Sequence, residues 1–534
     1  MSLVLGLHGG FTLGQHEPAS CLIHNGNILG IYEEERFNRI KNSFGLLPKY
    51  STLALLKDSN LSITDIDLVV VPGITYENNS LRWSLFLKHL FGYSPPIHVC
   101  HHQEAHIAAA FYGSGFNSSV GVSLDAYGDG LSGAIYSITS KHEFKKLKEF
   151  SMADSLGTIY TALTYHLGFE EGDEYKVMGL SSYGHDTENN VDFFSSSVSQ
   201  AVTRSFPKIL SPFDYPADSH TIESVSSVEQ RPSVSELNQD HSNLAYSLQK
   251  SFQNRLLQIM QQALDLSSSS SLVYAGGVAL NCSANKFLAE RLSLSHFYVS
   301  PLASDRGLAF GCATVGAARL MDIPQPLGVP YYGSSYSNED IINELNKNQI
   351  KYTILDDVYN DVSEFLNEGQ IIGWFQGRSE AGARALGNRS ILASASDISM
   401  RDKLNASIKY RELFRPFAPV VTLEDAHLYW KLQSNSDYAC MTQIADALPL
   451  ASEKIPAVVH TDGTSRIQVV TNNSNLPLYK LLKSFQKING NPVLMNTSFN
   501  LKGQPIVESP RDALMTFYGC GINKLVLNNI LVSK

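Results

Sequence analysis

The chain has 534 residues, of which 43% are hydrophobic and 17% charged, and its formal net charge is −10. That length suits two or three domains, and the composition argues against a disordered chain. The acidic balance argues against nucleic acid as the main partner, because phosphate backbones are held by clustered Lys and Arg. The six cysteines are scattered without a CxxC pair. Reduced thiols suit that spacing better than a disulfide framework or a zinc ribbon. No apolar run approaches the ~20 residues that span a bilayer, and the opening MSLVLGLHGG lacks a basic n-region and a cleavage site. A cytoplasmic protein without membrane contact is expected.

In chain order, residues 2–7 form a β-rich run, and Asn25-Gly26 between two further runs (19–24 and 27–32) signals a hairpin. Residues 67–71 (DLVVV) read as a buried strand and 97–100 as another. Residues 102–112 read as a helix. Residues 119–125 form a strand that ends in Asp-Ala-Tyr-Gly-Asp-Gly, with 133–139 running back as its hairpin partner. Hairpins therefore mix with helices, unlike a strict βαβ series. Residues 186–240 are polar, Ser-rich and weakly periodic, as an insertion or mobile segment would be. A helix over 242–266 follows, with apolar residues near helical spacing. A strand (272–275) then meets Gly276-Gly277. The Pro, Gly, Tyr and Ser of 324–338 suit a boundary between domains 1–335 and 336–534. No internal repeat is visible.

His102-Gln-Glu-Ala-His106 puts two imidazoles at i and i+4, on one helix face about 6 Å apart at Cβ, close enough to share one ion. HxxxH alone is a weak signal, and two core histidines on an Ala-rich helix would look the same. Asp125 at a strand end and Asp305 in a loop with no evident structural need for Asp add to it. Two imidazoles and two carboxylates suit Fe(II), Mn(II) or Zn(II) without selecting among them. Gly276-Gly277-Val-Ala-Leu-Asn281 follows a strand and is expected to open a helix, where backbone N–H groups can approach phosphate. Asp125-Ala-Tyr-Gly128-Asp129-Gly130 is a second candidate loop of that kind. A tight strand-to-helix turn is the plain alternative for the first. In the second block, Arg378, Arg384, Arg389, Lys409, Arg411 and Arg415 keep company with Gly, Ala, Leu, Phe and Pro. Cations so placed are costly to cluster unless an anion neutralises them, and a di- or triphosphate would do so.

Together these stretches resemble the O-carbamoyltransferases of the NodU/CmcH/TobZ family. The matching stretches of the first block are His16-Glu-Pro-Ala-Ser20, Glu33-Glu-Glu-Arg-Phe-Asn-Arg-Ile-Lys41, His102-Gln-Glu-Ala-His106, Ser123-Leu-Asp-Ala-Tyr-Gly-Asp-Gly130, Glu174-Tyr-Lys-Val-Met-Gly-Leu180, Gly276–Asn281 and Ser304-Asp-Arg-Gly307. In the second block they are Gly377-Arg-Ser-Glu-Ala-Gly-Ala-Arg384-Ala-Leu-Gly-Asn-Arg-Ser390, Ile408–Glu412, Phe414–Pro419, Asp462-Gly-Thr-Ser-Arg466 and Asn496-Thr-Ser-Phe-Asn500. Glu17 stands where the family commonly has Asp, Asn42 where it has His, and Ala383 where it has Pro.

The resemblance implies an α/β chain whose first domain is TsaD-like with an ASKHA (actin-like) fold and whose second is YrdC-like. It implies that the second domain joins carbamoyl phosphate to ATP, with Mg2+, to give carbamoyl adenylate. The first domain would transfer the carbamoyl group to an alcohol of a small molecule (a natural product, sugar or antibiotic-like acceptor). Iron is the metal it favours, and a homodimer is the assembly it suggests. Lys409 and Arg384 are then the candidates for carbamoyl phosphate and Ser498 for a hydroxyl contact. Arg378, Arg389, Ser390, Arg411, Arg415, Arg466 and Asn496 would line the same site. His16 and Lys41 are candidates for the transfer step, both as oxyanion donors and His16 alternatively as general base, and Lys176 is a candidate for nucleotide contact. A tRNA threonylcarbamoyl-transfer enzyme and a non-catalytic nucleotide-binding regulator are the competing readings.

Overall fold

The computed structural model describes residues 2–12, 14–141, 143–188, 190–195, 198, 199, 202, 219–233, 235–412 and 414–534. The expectation for 186–240 falls in part outside them. The chain forms two compact units, Met1–Ile31 with Ser43–Leu327, and Tyr32–Asn42 with Gly328–Lys534.

The first unit is built on two five-stranded sheets. One has the order β3-β2-β1-β4-β5, from β1 (Leu3–His8), β2 (Ala19–His24), β3 (Asn27–Glu33), β4 (Leu68–Pro72) and β5 (Ile97–Cys100). A short helix, α1 (Glu34–Asn38), follows β3. After helix α2 (His102–Ser114) comes the second sheet, β8-β7-β6-β9-β10. Its strands are β6 (Ser119–Gly128), β7 (Leu131–Ser140), β8 (Glu143–Ser151), β9 (Ser271–Ala275) and β10 (His296–Val299). Numbered from its own first strand, each sheet runs 3-2-1-4-5. In both, the first strand pairs antiparallel with the second and parallel with the fourth, which is parallel to the fifth. The unit is therefore a structural duplication, although no repeat is visible in the sequence. Sheet order rests on the strand pattern and tolerates complete divergence of side chains.

Two helices fill the space between the sheets. Helix α2 is apolar nearly all round, as a helix with no solvent face must be, and packs on β6 and β9. Helix α5 (Leu308–Arg319) packs on β1, β2 and β4, and against α2. The helix–helix approach depends on Gly311, where a Cβ would stand 1.9 Å from the Ala105 carbonyl oxygen. Two further helices, α3 (Gln239–Ser267) and α4 (Cys282–Arg291), lie before and after β9. The observed helices and strands extend those expected from periodicity by one to three residues at half of their ends, and β1 and β4 begin one residue later than expected.

The second unit holds an eight-stranded mixed sheet, β11-β21-β20-β12-β13-β19-β14-β18. Its members are β11 (Thr353–Ile354), β12 (Ile372–Phe375), β13 (Arg389–Ser394), β14 (Ala418–Thr422), β18 (Gln468–Val470), β19 (Leu494–Ser498), β20 (Lys524–Leu527) and β21 (Ile530–Ser533). The short strands β15 (Trp430–Lys431), β16 (Ala445–Ala447) and β17 (Thr464–Ser465) make a separate three-stranded sheet. Helices α6 (Val358–Asn367) and α7 (Leu476–Asn489) pack together and bury Leu366, Leu478, Leu481, Leu482 and Phe485 with the sheet residues Ile372, Trp374 and Val526. A larger core includes Phe375, Ile391, Phe417, Trp430 and Phe499. Helix α8 (Pro510–Tyr518) opens with a capping box between Ser509 and Asp512. Among the described residues no helix is long and apolar enough to cross a membrane.

Candidate active centres

In the first unit, α2, β6 and the loop before α5 bring four donors together. One ligand atom from each of His102, His106, Asp125 and Asp305 lies within 4.8 Å of all the others. His106 Nε2 is 3.1 Å from His102 Nε2 and 3.0 Å from Asp125 Oδ2. Asp305 Oδ1 lies 3.4 Å from His106 Nε2 and 3.6 Å from His102 Nε2. The helical i,i+4 spacing sets the imidazoles. A register shift in β6 between Leu124 and Gly128 turns Asp125 toward them. Gly128 lets the strand touch the His102 ring, where a Cβ would stand 2.2 Å from a ring carbon.

The donor set suits a divalent cation. Two imidazole nitrogens facing each other cannot both donate, and two carboxylates share the same small space. Burial alone would depress His106, but the Asp125 and Asp305 carboxylates raise it to about 9. Burial likewise works against the charge on Asp125, yet hydrogen bonds to His102 and His106 hold it down to about 2. The field at this point favours positive charge.

Several surrounding groups brace the four donors. Asp129 accepts hydrogen bonds from the backbone N–H groups of Ile74, Thr75 and His102 and from the Thr75 hydroxyl. Its carboxylate ties a loop to the start of α2 and is engaged with protein donors. His8 is a residue that sequence reasoning missed. It is buried, with Nε2 2.9 Å from the His16 carbonyl and 3.6 Å from Asp305 Oδ2. Burial lowers it to about 4. Its only sequence signal is a histidine at a strand end before Gly9-Gly10. Glu17 was also missed: it pairs with Arg306, beside Asp305. Burial alone would depress His16, but the carboxylates of Asp305, Glu17, Glu171 and Asp125 raise it.

The Gly276-Gly277 loop departs from expectation. The Gly276 N–H donates to the Ala303 carbonyl. A short 3-10 turn, Gly277–Leu280, follows, and α4 begins only at Cys282. The Asn281 side chain caps α4 by accepting from Ala284 N and pairs with Gln249. Lys176 donates to Asp173 at 2.7 Å and lies over the Phe169 ring. Gly130 has positive φ and open space where a Cβ would stand.

The second unit contains the cationic centre. Lys409 Nζ has four oxygen neighbours, Ser498 O at 2.5 Å, Ser498 Oγ at 3.3 Å, Asn500 O at 3.1 Å and Asn500 Oδ1 at 2.8 Å. Burial first, then the neighbouring Arg411 and Arg415 guanidinium groups and the Lys41 ammonium, hold it well below the usual lysine range. Lys41 belongs to this unit and is exposed. Its field falls on Lys409. Arg384 is half-buried on the loop between β12 and β13. Asn496 Nδ2 donates to the Ala385 carbonyl and to Gln468 Oε1.

Three residues expected at the anion site bond to the backbone around this loop. Arg389 is fully buried and donates to the carbonyls of Gln376, Gly377, Asn388, Ser334 and Glu508. Arg378 donates to the carbonyls of Gly333 and Tyr332. Ser390 Oγ accepts from Gly387 N. Arg411 is tied to Asn405 and the Pro416 carbonyl, and Arg415 pairs with Glu412 at 3.5 Å. Arg466 has a buried Nε with no hydrogen-bond partner among the described residues.

Two family models match the chain, carbamoyltransferase N-terminus over residues 83–314 and carbamoyltransferase C-terminus over residues 363–534. The nodulation protein NolNO of Sinorhizobium fredii is 32% identical over all of this chain and 82% of its own length. The nodulation protein NolO of Bradyrhizobium diazoefficiens is 33% identical over 81% of this chain and 78% of its own. A 3'-hydroxymethylcephem-O-carbamoyltransferase of Amycolatopsis lactamdurans is 31% identical over 50% of this chain and 49% of its own. The chain belongs to the carbamoyltransferase family, and it is an enzyme of carbamoyl transfer.

Proposed function

We propose that the protein is an ATP-dependent O-carbamoyltransferase that works in two steps, one in each unit. In the second unit, water would release orthophosphate from carbamoyl phosphate, and the carbamate left would attack the α-phosphate of ATP to give carbamoyl adenylate and pyrophosphate. In the first, the carbamoyl group would pass to the hydroxyl of a small molecule, with release of AMP. The observation that carries the reading is the convergence of His102, His106, Asp125 and Asp305 in a chain of this family. The names of the relatives support an alcohol acceptor: one is a carbamoyltransferase of a hydroxymethylcephem, and others are nodulation proteins. The duplicated 3-2-1-4-5 sheets support an actin-like reading of the first unit, and we take the second as YrdC-like.

In the adenylation step, Lys409 and Arg384 would bind the carbamoyl phosphate anion. The Lys409 ammonium, held low by burial and neighbouring cations, regains charge stabilisation when an anion arrives. Ser498 would orient the substrate by its hydroxyl. In the transfer step, His102, His106, Asp125 and Asp305 would hold a divalent cation, Fe(II), Mn(II) or Zn(II), which supplies Lewis-acid polarisation of the carbamoyl oxygen. His16, raised by the surrounding carboxylates, carries a proton at neutral pH more readily and suits donation to the developing oxyanion.

The test is product analysis with purified protein, ATP, Mg2+ and carbamoyl phosphate. Pyrophosphate release that depends on carbamoyl phosphate, and AMP release that depends on an added alcohol, are expected. ADP as the nucleotide product would overturn the scheme.

A further inference from the structure

The segment that leaves the first unit at Ile31 and returns at Ser43 is a strap on the second. It makes two sets of contacts there, the first buried and the second partly exposed. At one end, Glu33 accepts from Gly382 N through one carboxylate oxygen and from Arg36 Nε and Nη2, both at 3.2 Å, through the other. Arg36 Nη2 also donates to the Gly382 carbonyl at 2.9 Å. The Gly382 backbone is thus gripped on both its N–H and its C=O, two residues before Arg384. At the other end, Arg39 donates to the carbonyls of Ile506 at 2.6 Å and Pro505 at 2.9 Å and faces Asp512 at 3.6 Å. Asn500 Nδ2 donates to the Gln504 carbonyl, next to that grip, and Asn500 is one of the residues that hold Lys409. Arg39 closes α1 in the left-handed conformation, and Glu35 accepts from Asn42 N, so the strap is itself fixed.

We propose that this strap is the positioning element of the anion site: Glu33 and Arg36 set the Arg384 loop, Arg39 sets the Asn500–Ile506 loop under Lys409, and the five-residue helix between them fixes their separation. The three residues act through others and do not touch substrate. The assignment rests on the reading that the second unit forms carbamoyl adenylate. Two cations that grip one small anion must be spaced to it, and an error of about 1 Å in such a site costs on the order of a hundredfold in rate.

The experiment uses the full chain with Arg36→Ala, Arg39→Ala and Arg39→Lys, each shown to be folded by thermal denaturation. Arg39 is partly exposed, so its variants keep the proposal testable if Arg36→Ala does not fold. The first readout is the KM for carbamoyl phosphate, taken from pyrophosphate release at saturating ATP. Each Ala variant is expected to raise it about tenfold or more while kcat falls less, and Arg39→Lys to recover part of the loss. A merely structural role would lower the active fraction, and so kcat, and leave KM in place. The second readout is amide exchange. Arg36→Ala should accelerate it in residues 380–386 and Arg39→Ala in residues 500–506. KM values within about twofold of the parent, or exchange unchanged in both loops, would overturn the proposal. If the parent protein releases no pyrophosphate, the adenylation reading fails, and the exchange readout alone still decides whether the strap sets the two loops.

Discussion

Arg389 meets five backbone carbonyls from a fully buried position. Removing a buried, fully bonded charge typically costs about 3–5 kcal/mol, so Arg389→Ala should lower the denaturant midpoint of the protein markedly. In sequence this arginine is indistinguishable from Arg384, because composition reports which residues are near one another in the chain and says nothing of which donors are already used. The same limit hid the capping role of Asn281. By contrast, His102, His106, Asp125 and Asp305 were legible as a group, since one helical spacing, a carboxylate at a strand end and another in a loop sufficed to group them. Two predictions follow for this cluster, one at a donor and one beside it. His106→Ala should lower metal content, measured by elemental analysis, and leave pyrophosphate release intact. Gly128→Ala should do the same without touching a ligand, because its methyl group would displace the His102 ring. Lys409→Ala should abolish pyrophosphate release, by about a hundredfold or more, and preserve transfer from supplied carbamoyl adenylate.

At the level of elements, the cluster of His102, His106, Asp125 and Asp305 depends on where three of them end. Helix α2 starts at the site, β6 kinks at it, and the loop before α5 closes it. Asp129 joins the first two by accepting from the loop at Ile74–Thr75 and from the first N–H of α2. Residues that orient ligands from behind typically account for 10–100-fold in metal affinity. Asp129→Ala should therefore weaken metal binding by about that factor in a competition titration with a chelator, with all four ligands still present. Strand and helix positions were legible from periodicity, because each is a local pattern. The β6 register shift was not, since a bulge is set by the partner strand. Nor was the short turn after the glycines that delays α4 until Cys282.

Over the whole molecule, the duplicated sheets and the discontinuous second unit both escaped the sequence. Sheet order is decided by pairings between strands far apart in the chain. The clamp at Glu33, Arg36 and Gly382 joins residues about 350 positions apart, and no local pattern marks it. The family motif around residues 33–41 was legible as a motif, but its place in the second unit was not. That placement has a consequence for how these enzymes can be recombined. A chimaera that exchanges everything after Leu327 between two relatives would pair a new loop with an old strap. Eleven residues from the far end of the gene must travel with it for the joint to match. Pairs of chimaeras that differ only in the origin of residues 32–42 should separate cleanly, the matched strap retaining pyrophosphate release and the mismatched one losing it.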